Sequence, residues 1–90
     1  MLNRKFFENE FPAAVKTFAS QKKCENPFME FVLYSGQTFM VLKILKIEER
    51  WIQVEALTED RESTHVFIPY KNIARLCLYT KAPPRGSLGF

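Results

Sequence analysis

A chain of 90 residues, 47% hydrophobic and 14% aromatic, holds one domain, excludes wholesale disorder and is too short for a second core. A net charge of +3 suits a nucleic acid or an acidic partner but is too small to demand one. Lys43 and Lys46 interrupt the longest apolar stretch well short of a membrane span, and Glu8 and Glu10 break any signal-like run after Phe6-Phe7, so the expectation is a cytoplasmic protein without a membrane partner.

In chain order, the first element is helical, over residues 3 to about 23. Phe11, Ala14, Val15, Phe18 and Ala19 recur at i, i+3, i+4, i+7 and i+8, which draws one apolar stripe along a helix. Pro12 suits the front of that helix, where its missing N–H costs little, so the main helix is expected to start between Asn9 and Phe11. Residues Asn3 to Phe7 are expected to add a separate turn, and Asn26-Pro27 stops the helix.

The period then changes. Phe28 to Tyr34 is a short strand ending at the Ser35-Gly36 turn. Thr38 to Ile47 is a longer strand whose lysine spacing fits neither strict alternation nor a helix, which predicts a bend with a bulge near Lys43 to Leu45. Trp51 to Leu57 alternates, with Ile52, Val54 and Ala56 on one side. Residues Glu59 to Glu62 read as a hairpin tip, Thr64 to Ile68 as a fourth strand closed by Pro69, and Ile73 to Tyr79 as a fifth. The expected class is mainly β with an N-terminal α-helix, the five strands forming a strongly bent antiparallel small barrel. One face would fill the barrel, and the helix or a second subunit would cover the other. The expected division is an N-terminal helix over 1–27, the barrel over 28–80 and a flexible tail over 81–90.

Two stretches carry a resemblance. Phe31-Val32-Leu33-Tyr34-Ser35-Gly36-Gln37-Thr38-Phe39 and Val66-Phe67-Ile68-Pro69-Tyr70-Lys71-Asn72-Ile73-Ala74-Arg75-Leu76 resemble the first and second motifs of the Sm-like family of small β-barrels, whose order of one helix and five strands this chain shares. The resemblance covers roughly residues 10 to 80. It implies a homo-oligomeric ring joined by pairing of the fourth strand of one copy with the fifth of the next, an edge to which Val66, Ile68, Leu76 and Leu78 belong. It also implies single-stranded RNA at the inner rim, held by the loops after the second and fourth strands. The Asp and Asn usual in the first loop are absent, with Glu48 and Gln53 nearest in type. Tyr70-Lys71-Asn72 keeps two of the three residues of the bacterial Tyr-Lys-His pattern.

An aromatic beside a cation is the chemistry of base stacking with phosphate neutralisation. Tyr70, Lys71 and Asn72, helped by Trp51 and Arg50, are therefore the candidate RNA-binding residues. The competing expectation has Tyr70 plugging the barrel end and Trp51 capping the sheet, on a protein-interaction or assembly module with no RNA site. Lys43, Lys46 and Arg75 are candidates for a basic stripe on the outer sheet. His65 has no second ligand at metal spacing, the glycines (Gly36, Gly86, Gly89) form no phosphate loop, and no nucleophile has an evident base. The expectation is thus a non-enzyme without cofactor or metal. Cys24 and Cys77 are expected as two reduced, largely buried thiols.

Overall fold

The computed structural model describes residues 2–58 and 60–81, so nearly all of the tail expected over 81–90 lies outside the described residues. A π-helical turn, Phe6–Glu10, runs directly into helix α1, Phe11–Lys22. The first turn is therefore continuous with the main helix instead of separate from it. Asn3 starts it, its side-chain oxygen accepting the Phe6 N–H at 2.9 Å. The helix ends on Lys23 in the left-handed region (φ 53°), with the Cys24 N–H returning to the Ala19 carbonyl at 2.9 Å.

Five strands follow: β1 Phe28–Leu33, β2 Thr38–Ile47, β3 Trp51–Leu57, β4 Ser63–Pro69 and β5 Ile73–Tyr79. They form one antiparallel sheet in the order β4-β3-β2-β1-β5. The β1–β2 turn closes through the Gly36 N–H on the Leu33 carbonyl at 2.9 Å, with Gly36 at φ +92°, a conformation glycine adopts without steric cost.

The bend in β2 comes from two bulges, not one. Val41 pairs with Ala56 and Lys43 with Glu55, which leaves Leu42 extra; Ile44 pairs with Val54 and Lys46 with Gln53, which leaves Leu45 extra. Each extra residue shifts the alternation by one, so Val41, Ile44 and Ile47 share the core face at a spacing of three. Leu42 and Leu45 are correspondingly exposed.

A second constraint curls the whole sheet. β4 and β5 lie at opposite ends of the strand order, which in a flat sheet would set them four spacings of about 4.8 Å apart, roughly 19 Å. Only the 3-10 turn Tyr70–Asn72 joins them, and the step from Pro69 to Ile73 spans at most about 14 Å even fully extended. The sheet must therefore bend until its edges approach at that corner. It does not close: β4 and β5 do not pair with each other among the described residues.

Phe31, Val41, Ile52, Val54, Ala56, Ile68 and Ile73 fill the inside of the curl, and Phe7 and Phe11 enter the same cluster from the helical segment. The helical segment thus packs against the core side of the sheet. Phe7 is the deepest helical residue, 5.4 Å from the Tyr70 ring in a stacked arrangement and 6.0 Å from Phe31. Of the predicted stripe, Phe11 is buried, Val15, Phe18 and Ala19 are half-buried, and Ala14 is exposed. Among the described residues no helix is long and apolar enough to cross a membrane.

Phe7→Ala is expected to cost about 3–5 kcal/mol through the cavity it leaves. A chain of this size has about 5–13 kcal/mol in total, so the urea midpoint should fall steeply or the fold should be lost. Ala14→Ser, on the exposed side of the same helix, should stay within about 0.5 kcal/mol of the parent.

Candidate nucleic-acid interface

The corner where the edges approach gathers most of the residues singled out in the sequence. A groove of about 560 Å³ is lined on its apolar side by Leu2, Trp51, Pro69 and Tyr70, and on its polar side by Asn3, Glu49, Arg50 and Lys71. The β2–β3 turn supplies Arg50 and Trp51, and the β4–β5 turn supplies Tyr70 and Lys71. They meet because the Tyr70 N–H donates to the Arg50 carbonyl at 3.1 Å, extending the β3–β4 ladder by one pair beyond Trp51↔Pro69.

Tyr70 itself is interior. Its ring stacks on Phe7 with 18° between the planes and its hydroxyl donates to the Glu48 carbonyl, so it pins the turn from beneath. Burial pushes its phenol above the ordinary value. Its edge lines the groove, but its stacking partner is already Phe7, which leaves Trp51 as the aromatic platform of this groove. Trp51 is half-exposed and steadied by Phe67 of the neighbouring strand β4, whose ring lies 5.5 Å away.

The electrostatics are set by pairing. Arg4 reaches Glu8 at 3.1 Å and Glu49 at 3.5 Å, and Lys46 reaches Glu48 at 3.2 Å. These exposed bridges contribute little stability. They do, however, neutralise the two carboxylates of the β2–β3 turn, while Arg50 and Lys71 have no ion pair among the described residues. The hydrogen bond to Glu8, then its charge, raises the Arg4 guanidinium above its ordinary value. The surplus at the groove is positive.

Asn72 lies apart from the other four candidates, on a smaller depression it shares with Leu33, Tyr34 and Ser35. The candidate edge residues face their own core: Ile68 is buried, and Val66, Leu76 and Leu78 are half-buried against it. What β4 offers outward is backbone. Because Tyr70 bonds Arg50, the pairs Ile52/Ile68, Val54/Val66 and Ala56/Thr64 are in the hydrogen-bonded phase. The backbone groups of Ser63, His65 and Phe67 therefore point out of the sheet. Pro69, with no N–H to leave unpaired, takes the last outward position.

The basic stripe does not form. Lys43 and Lys46 stand on the part of β2 that pairs only with β3, whereas Arg75 is opposite Val32 across the other side of β1. His65 contacts Gln53 at 3.4 Å, and among the described residues no group of three or more His, Cys, Asp or Glu side chains could hold a metal ion. Cys24 and Cys77 are free and half-buried, with Cys24 Sγ donating to the Thr80 carbonyl at 3.7 Å.

Two features escaped the sequence reading. Tyr34, the expected end of an apolar strand, is 76% exposed; an aromatic immediately before a turn, with no strand residue beyond it to pack against, is the signal. Glu30 is 2% exposed within the apolar run of β1; its Oε1 accepts the Tyr79 hydroxyl at 2.9 Å, and its Oε2 has no hydrogen-bond partner among the described residues. No family model, curated protein or solved structure matches the chain.

The hydrogen bond to Glu30, aided by burial, pushes the Tyr79 phenol up to about 12 from its usual 10. The folded state then holds this proton more tightly than the unfolded chain, so the associated stability is full below pH 10 and is lost as pH rises toward 12. Tyrosine ring NMR against pH should show Tyr79 ionising near pH 12, and Glu30→Gln should bring it down; an unmoved midpoint in that variant would remove Glu30 as the cause.

Proposed function

We propose that the domain is an Sm-like module that binds single-stranded RNA in the Trp51 groove and joins copies of itself through β4 and β5. The observation that carries the RNA reading is the single groove shared by Arg50, Trp51, Tyr70 and Lys71, drawn from two turns about 20 residues apart in sequence. Trp51 offers a π-face to one base, and Arg50 and Lys71 offer positive charge to the phosphates. Tyr70 serves this site by holding both turns together. A strand order with β4 and β5 at the two edges supports the head-to-tail pairing that the family resemblance implies.

Short oligo-U should quench the fluorescence of Trp51, the only tryptophan. Affinity should fall as salt rises, because phosphate contacts release counterions. Lys71→Ala and Arg50→Ala should each flatten that salt dependence by about one phosphate contact. Trp51→Ala, followed by filter binding, should weaken binding by about 1–3 kcal/mol. Absence of binding at low salt, or binding indifferent to Lys71→Ala, rules this site out.

A protein-assembly module with no RNA site is the second reading. It is favoured by the two sheet edges that have no partner strand among the described residues and by Phe67, 59% exposed on β4. Light scattering should report a concentration-dependent oligomer. His65→Pro should return it to monomer, since it removes an outward N–H and leaves the β3–β4 ladder intact. A wild-type monomer at high concentration counts against edge pairing in either reading.

A further inference from the structure

The Trp51 groove does not end at Lys71. A second groove, of about 510 Å³, continues from it, lined by Tyr34 and Ala74 together with the Leu2, Tyr70 and Lys71 that the first groove also uses. The two grooves are neighbours that share Leu2, Tyr70 and Lys71, with Trp51 lining one and Tyr34 the other. Tyr34 is the most exposed large apolar side chain among the described residues. Its backbone is held, because the Tyr34 N–H donates to the Asn72 carbonyl at 2.9 Å and the preceding Leu33 N–H donates to the Gln37 carbonyl at 2.8 Å. The same turn therefore carries Lys71 and anchors Tyr34.

We infer that Tyr34 is a second stacking platform, so that the site holds two nucleotides of a single strand, one base on Trp51 and one on Tyr34, with the phosphate between them at Lys71. This rests on the RNA-binding reading above and adds to it a site length and a residue. The Glu49 carboxylate on the rim is engaged by Arg4, Arg50 and Lys71 have no ion pair among the described residues, and Trp51 and Tyr34 add aromatic surface to the two grooves. An anionic chain with flat, stackable side groups matches that arrangement, and an apolar peptide would leave both cations unused. The phenol hydroxyl has no part in stacking, so the ring alone should suffice.

The test is titration of the full chain, at constant low salt, with uridine monophosphate and with oligo-U of two and eight residues, read by Trp51 quenching. For the wild type, affinity should rise sharply from the mononucleotide to the dinucleotide. Tyr34→Ala should weaken the dinucleotide and the octamer by about ten- to hundredfold while leaving the mononucleotide unchanged, and Tyr34→Phe should restore wild-type affinity. Because Tyr34 is exposed, the alanine variant should keep the wild-type circular dichroism and urea midpoint. If the octamer binds and Lys71→Ala weakens it while Tyr34→Ala does not alter it, the second platform is overturned and the RNA site stands. If no oligonucleotide quenches Trp51 in the wild type, both fall.

Discussion

The link of three residues between β4 and β5 is the constraint on which the rest of the domain depends. A connection that short between strands at opposite ends of the sheet order is incompatible with a flat sheet, and the bulges at Leu42 and Leu45 are where β2 yields to it. Tyr70 opens the link and secures it in three directions: its ring to Phe7 of the helical segment, its hydroxyl to the Glu48 carbonyl, and its N–H to the Arg50 carbonyl. One residue thereby fastens the N-terminal segment, the β2–β3 turn and the β4–β5 turn at one corner.

That fastening explains why the groove lies at this corner. A curl tight enough to bring the edges together also brings their loops together, and the loops carry the side chains the core does not need. Arg50 and Lys71 flank Tyr70 and face outward because the residue between the two turns in space faces inward. The N-terminal segment completes the rim through Leu2 and Asn3, and Arg4 neutralises the carboxylate that would otherwise oppose an anion. The structural role of Tyr70 and the proposed binding role of its neighbours are thus parts of one arrangement.

How far the sequence revealed this varied with the range of the interaction. The strands could be bounded to within a residue, since alternation and turn residues are local signals. The irregular spacing of Lys43 and Lys46 announced a bulge, although a period of two interrupted twice within four residues cannot be resolved without knowing the partner strand. Phe7 lay in a segment too short to show a periodicity, so its place in the core depended on Phe31 and Tyr70, 24 and 63 residues away. Tyr70 next to Lys71 has the same local pattern whether the ring stacks on a base or on a phenylalanine, and only the fold separates those cases. Glu30 showed the same difficulty: a lone acid in an apolar strand reads as a solvated position until Tyr79 is seen beside it.

The pairing of β1 with β5 has a consequence for how the chain is made. Phe28 is opposite Tyr79, so the ladder closes a loop of about fifty residues, one of the longest-range pairings in the domain. During synthesis β1 to β4 are complete before any of β5 has been translated. Over that interval β1 is itself an edge, its unpaired backbone adjoining Phe31 and Met29. Glu30 sets an acidic side chain between Met29 and Phe31 on this temporary edge, and charged side chains on an edge strand disfavour its pairing with other chains. Arrival of β5 then brings the Tyr79 hydroxyl onto Glu30 Oε1.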